Sequence, residues 1–188
     1  DDFGCDMNEN SYLAVDVYDN AMFIIALDYM AEMTDDTALL KKWSDIRQGI
    51  ARNVREHLWD AKQQKFIPHL YLDKAPDLGD FDENKVHYHG GTAVAIEAGL
   101  LTKEEIAAVN AQMLENVRLS GMPSIGLTLY PPYPDNFFTG GMAKPYVYQN
   151  GGDWTWFGAR MIQALIENGM IEEAYTELEP MLTRVIEN

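Results

Sequence analysis

The chain has 188 residues, 47% hydrophobic and 11% aromatic, which is enough apolar material for a buried core and too much for a disordered segment. Its 14 basic residues stand against 30 acidic ones, a net charge of −16 that repels nucleic-acid phosphates and anionic membranes and leaves neutral or cationic ligands as partners. No apolar run approaches the roughly 20 residues that span a bilayer, the opening "DDFGCDMNEN" has no signal-peptide pattern, and Cys5, the single cysteine, can form no internal disulfide.

Ahead of the first helix, "YLAVDVYDNAMF" puts Asp16 and Asp19 just upstream of an apolar run. The spacing predicts a helix over 20–33. Only Asp28 and Glu32 interrupt "AMFIIALDYMAEM", so this helix is apolar nearly all round and should be buried on most sides. The next, over 37–59, is one-sided, with Leu39, Trp43, Ile46, Ile50, Val54 and Leu58 on a single face. A long connection follows, with the strand-like "KFIPHLYL" and the rim segment "KVHYHGG". The third helix, 91–100, is again apolar all round, with Glu97 as the lone charge in "TAVAIEAGL". The fourth, 102–119, presents Ile106, Val109, Met113 and Val117 on one face. Another long connection carries "IGLTLY" and the Gly/Pro/Asn-rich "YPPYPDNFFTGG". Helices over 154–168 and 171–187 close the series, the last with Ala174, Leu178, Met181 and Val185 facing inward.

Two of the helix-to-helix turns read alike, "IEAGLLTKEEI" and "IENGMIEEAY". Gly99 and Gly169 suit the left-handed position that ends a helix, and Thr102 with Glu105 suits a capping box. The chain therefore reads as three helical hairpins: an inner apolar helix, a tight turn, an outer amphipathic helix, then a long loop. This is an all-α arrangement, half of an (α/α)6 toroid in which the long loops gather on one face. The whole 1–188 is expected to be the C-terminal part of such a barrel domain. A closed ring needs about twelve helices, so either further polypeptide or a partner chain supplies the remainder. The first is preferred, because half a ring leaves the apolar sides of inner helices exposed.

Long loops in a compact domain are usually functional, and these hold the candidate site. An Asp at a helix start is ordinarily an N-cap. Two rim acids beside aromatic loops also fit glycoside hydrolysis, in which one carboxyl protonates the leaving oxygen and a second activates water or attacks carbon. "YQNGGDWTWFG" ends the last long loop. Either one of Trp154 and Trp156 is core and the other covers it, or an exposed ring stacks on the apolar face of a sugar while Gln149, Asn150 and Asp153 bond its hydroxyls. Gly151 and Gly152 would let backbone approach the ligand closely. His87 and His89 are expected at the same rim as sugar contacts or loop packing. No metal-ligand spacing is present and no cofactor is expected.

These residues carry a resemblance. "YQNGGDWTWFGARMIQAL" resembles the Y-x-N-G-G-x-W-P stretch of six-hairpin glycosidases, such as the alkaline and neutral invertases and the glycogen-debranching type of α-1,6-glucosidases with their α-glucosidase relatives. "DVYDNAMFIIAL" is similar to the segment in which those enzymes hold an Asp before an aromatic-rich inner helix, and "LWDAKQQKFIP" to their exit from an outer helix. The resemblance implies that Asp19 is the general acid, with Asp16 the fallback, and that Tyr148, Asn150, Gly151, Gly152 and Trp154 shape the sugar subsite. The chain departs from the pattern at Thr155, where the family has Pro, and at Asp153, where it has a small or apolar residue. The family's partner Glu lies in or after the last hairpin, so the base is expected outside this chain. The function expected is hydrolysis of an oligosaccharide or glycoside by an exo-acting, inverting α-glucosidase-like enzyme. A sugar epimerase on the same toroid, with His87 and His89 moving protons, and a carbohydrate-binding scaffold without chemistry are the alternatives.

Overall fold

Apolar periodicity becomes six α-helices in the computed structural model, which describes residues 9, 11–138 and 140–187; Cys5 lies outside these. The helices are α1 (Val17–Glu32), α2 (Thr37–His57), α3 (His89–Glu97), α4 (Lys103–Ser120), α5 (Thr155–Glu167) and α6 (Ile171–Glu187). Six two-residue strands pair in three antiparallel ribbons within the loops: β1 (Ala14–Val15) with β4 (Leu70–Tyr71), β2 (Trp59–Asp60) with β3 (Lys65–Phe66), and β5 (His87–Tyr88) with β6 (Leu129–Tyr130). The described residues are thus mainly helical. Local signals set most boundaries. Thr102 and Glu105 form the full capping box of α4, and Gly99 and Gly169 take positive φ of 71° and 72° behind α3 and α5. The first and third helices begin earlier than their apolar runs, at Val17 and His89, because Asp16 caps α1 and the loop hands directly into α3.

The helices divide into two layers. α3 lies between α1 and α5, while α2 packs on α1 and α6 on α5. The apolar face of α4 joins Ile106, Val109 and Met113 to Met161 and Leu165 of α5 and Ala174 and Met181 of α6 in one core cluster. A second cluster unites Val17, Ala21 and Ile24 of α1 with Val54 of α2 and Val94 and Ala95 of α3. Polar ties cross the same seams: Arg47 on α2 binds Asp28 on α1 and the Ala98 carbonyl behind α3, and Arg55 grips Glu105 with both nitrogens at 3.1 and 2.7 Å.

Burial follows position in this arrangement more closely than the pattern predicts. α3 is buried from His89 through Ile96, as an all-round apolar helix should be. α1 is not, since Phe23, Met30 and Met33 stay exposed along one stripe. Among the outer helices, Leu39 and Ile46 of α2 and Val185 of α6 are exposed, and Glu177 occupies the buried face of α6 instead.

The three inner helices start side by side. A Cβ at Gly90 would stand 2.8 Å from the Phe157 ring, and one at Gly91 would stand 2.7 Å from Val17 Cγ1. Two glycines at the head of α3 therefore let α1 and α5 close onto it from either side. This brings the loops preceding all three helices to one end of the layer.

Candidate active site

At that end, two adjoining hollows share Tyr88 and Gln149. The first, of about 490 Å³, is walled by Tyr18, Tyr88, Trp154, Trp156 and Phe157 with Gln149. The second, of about 160 Å³, is bounded by Asp16, His69, Tyr88, Tyr133 and Gln149 with apolar walls such as Leu129 and Phe138. Rings flanking a few convergent polar groups are the usual make-up of a small-molecule site.

The aromatic wall is built from helix starts. Tyr18 in the first turn of α1 meets Trp156 and Phe157 of α5, each at 6.3 Å between ring centroids. Trp156 packs edge-on against Phe157 at 4.7 Å and has the Arg160 guanidinium over its ring at 4.3 Å; Arg160 in turn pairs with Glu97. Neither tryptophan is core. Phe157 takes that place, Trp154 is half-buried against the Tyr148 ring at 4.8 Å, and Trp156 is 42% exposed.

The two acids play different parts. Asp16 is the N-cap of α1, and its Oδ1 accepts the Asp19 N–H at 2.9 Å. Asp19 sits in the first turn with no capping bond to make, and partial burial, then the negative charge of Asp16, raise its pKa above the usual carboxylate value. Asp16 also faces the smaller hollow. Both acids lie near enough to Tyr88 that burial, and after it their charges, push its hydroxyl well above the ordinary tyrosine range.

The loop over 148–154 holds its shape through groups expected to touch a ligand, and three expectations are corrected here. Asn150 is fully buried; its amide donates to the Tyr133 carbonyl and accepts from the Tyr133 N–H, so it clamps two loops together. Asp153 turns away from the hollows. Its Oδ2 accepts from Ser124 N–H and Oγ, and Arg184 on α6 lies 3.3 Å from its Oδ1, leaving the side chain 4% exposed. Gly151, at φ 85°, and Gly152, where a Cβ would collide with the Tyr148 carbonyl, permit the loop's own tight fold instead of a ligand's approach. Tyr148 itself has φ 53° and Tyr146 φ 62°, backbone conformations that cost of order 1–3 kcal/mol each. Thr128 anchors the result: its N–H donates to Gly152 O, its hydroxyl to Gln149 O, and its carbonyl accepts from Gly90 N–H. Gln149 alone of the loop's polar side chains reaches both hollows.

The histidines of "HYHGG" are also corrected. His89 is buried, with Nε2 2.9 Å from the Asn116 amide and Nδ1 near the Leu127 carbonyl but out of hydrogen-bonding geometry. Burial, then His87, lowers its pKa to about 3. His87 sits in the β5–β6 ribbon beside a void of only about 10 Å³, and burial followed by the Lys65 charge lowers it to about 4. Both are neutral packing residues, and Tyr88 between them is the one that reaches the site.

Sequence reading missed His69, Glu83 and Tyr133. Glu83 Oε1 accepts from Tyr133 at 2.6 Å, from Tyr71 at 3.1 Å, and lies 2.8 Å from His69 Nδ1. Burial raises the Glu83 pKa, but these bonds outweigh it and hold the carboxyl below its usual value. Among the described residues no group of three His, Cys, Asp or Glu side chains is placed to hold a metal ion. A more open cleft of about 830 Å³ between Met122 and α6 is lined by Glu179, Thr183 and Arg184 and contains no ring to stack on a sugar. No protein-family model matches the chain, and no curated protein sequence matches it.

Proposed function

We propose that the chain is half of an (α/α)6 toroid in a glycoside hydrolase, exo-acting on α-glucosides with inversion of configuration. The observation that carries this reading is the pairing of the aromatic hollow around Tyr18, Tyr88 and Trp156 with an uncommitted acid, Asp19, in the same turn of α1 as Tyr18. The partly exposed Trp156, with the Tyr18, Tyr88 and Trp154 rings of the same hollow, supplies an apolar platform for a sugar ring, and Gln149 supplies a hydrogen-bonding edge. Asp19, its pKa raised by partial burial and then by Asp16, gives its proton to the glycosidic oxygen as the C1–O bond breaks. Water then adds to C1 from the opposite face. Inversion needs a second carboxylate some 6.5–9.5 Å from the first to take the proton of that water, and in this reading the base is a Glu of the completed ring.

Two exposed apolar stripes support ring closure. Phe23, Met30 and Met33 on α1 and Tyr175, Val185 and Ile186 on α6 lie on the first and last helices of the described arc, and neighbouring hairpins in a ring would cover them. The epimerase alternative gives proton transfer to His87 and His89; His89 is buried, His87 is half-buried, and neither lines the two hollows.

The test is anomer-resolved proton NMR with maltose, isomaltose and sucrose, on the chain joined to the polypeptide that completes the ring. Glucose released first as the β-anomer is the expected result. First release of the α-anomer overturns inversion, and saturable binding without cleavage of any of the three replaces the hydrolase with a binding scaffold.

A further inference from the structure

The smaller hollow contains chemistry that the proposed hydrolysis does not use. His69 reaches it from the segment just before β4, with its Nδ1 held by Glu83. Glu83 receives Tyr133 and Tyr71 on the same oxygen and lies against His69, and against the effect of burial these bonds hold its carboxyl below the usual value, so that it serves as an acceptor. The proton between Glu83 and His69 therefore belongs to Nδ1, and in the neutral form of the ring Nε2 is left as an acceptor. A carboxylate behind a histidine that fixes the tautomer of its far nitrogen is a positioning arrangement. Across the hollow stand the Asp16 carboxylate and the Gln149 amide, and the space of about 160 Å³ amounts to roughly five waters' volume. Its remaining walls are the Tyr88 and Tyr133 rings and apolar side chains such as Val86 and Leu129. With a net charge of −16 on the chain and Asp16 at the wall, an anionic ligand is disfavoured. Three polar groups set in an apolar lining suit a neutral polyhydroxylated ring.

We propose that this hollow is a subsite for one neutral sugar ring, in which His69 Nε2 accepts a hydrogen bond from a sugar hydroxyl and Glu83 is the positioning residue that sets the acceptor tautomer. The inference rests on the reading of the aromatic hollow as a carbohydrate site, because the two share Tyr88 and Gln149 and a disaccharide would span both. His69 and Glu83 thereby become determinants of specificity, selecting a hydroxyl of fixed position on the terminal ring.

Long-range nitrogen NMR on the 188-residue chain tests it, with methyl α-D-glucopyranoside and maltose as probes. The free chain should show His69 as the Nδ1–H tautomer, and added sugar should move its Nε2 resonance while quenching tryptophan fluorescence. His69→Asn keeps a group at the Nδ1 position for Glu83 and removes Nε2, so it should bind maltose about fivefold more weakly with an unchanged unfolding midpoint. Glu83→Ala should shift the tautomer balance toward Nε2–H and weaken binding similarly, whereas Tyr71→Phe should leave both unchanged. Sugar-dependent tryptophan quenching with no movement of His69 would overturn this subsite while leaving the aromatic hollow as a sugar site. No response at tryptophan or at His69 would overturn both. An Nε2–H tautomer in the free chain would overturn the role given to Glu83.

Discussion

The rings of Tyr18 and Trp156 lie 6.3 Å apart at an interplanar angle of 56°, which joins the first turns of α1 and α5 across the head of α3. The helix heads close on one another because Gly90 and Gly91 of α3 have no side chains: a Cβ would meet the Phe157 ring at the first and Val17 and Tyr88 at the second. The aromatic hollow is thus a product of helix packing, with loop conformation adding Gln149 and Trp154 to it.

Gly91→Ala would place a methyl 2.6 Å from Tyr88 Cε1 and 2.7 Å from Val17 Cγ1. Overpacking of this kind costs typically about 1–3 kcal/mol, and the displaced Tyr88 should also weaken sugar binding. Thermal unfolding and a maltose titration check the pair. Wild-type values in both would show that the α1–α3 seam yields without disturbing the site.

Asp16 and Asp19 should separate cleanly in mutants. Asp16→Ala removes the cap of α1 and should lower stability by about 1 kcal/mol. Asp19→Asn makes no difference to capping, so it should leave the denaturant midpoint in place while reducing turnover by a factor of about 100 or more. Turnover at the wild-type rate in Asp19→Asn would remove the general acid from this position.

Asp153 and Trp156 should behave oppositely although three residues apart. Asp153→Ala strips Ser124 of its carboxylate acceptor and removes the ion pair to Arg184, which keeps its bond to the residue 153 carbonyl, at a cost of about 1.5–3 kcal/mol for charge-assisted bonds, and should change sugar affinity little. Trp156→Ala leaves the fold nearly as stable, since the ring is 42% exposed, and should abolish most of the fluorescence response to maltose. Equal losses of binding in both variants would place Asp153 back in the site.

Glu177 sets a pH dependence of stability. Only 2% exposed, with neither carboxyl oxygen in good hydrogen-bonding geometry and only Asn110 close by, its pKa is raised to about 7, first by burial and then also by Glu173. A folded value above the unfolded one means that protonation favours the folded state; this stabilisation is whole below about pH 4.5 and lost as pH rises through about 7. Glu177→Gln should therefore be more stable than wild type at pH 8, by on the order of 3 kcal/mol, and about equal to it at pH 4.5. Urea midpoints across that range measure it, and a difference independent of pH would show that Glu177 is not the titrating group.

The six helices, their alternation of all-round and one-sided apolarity, the capping box at Thr102 and the left-handed turns at Gly99 and Gly169 were determined by the sequence itself. Each rests on hydrogen bonds or apolar contacts between residues a few positions apart, and such signals survive in a linear reading. What the loops do was decided by tertiary structure. Asn150 and Asp153 have the chemistry of sugar ligands, yet their partners, Tyr133, Ser124 and Arg184, arrive from elsewhere in the chain and bury them. His89 is buried in the first turn of α3 and half-buried His87 borders neither hollow, while Tyr88 between them lines both. The Glu83, His69 and Tyr133 cluster joins residues up to 64 positions apart, a separation at which no periodicity operates and only the closing of the helices onto Gly90 and Gly91 brings the loops into contact.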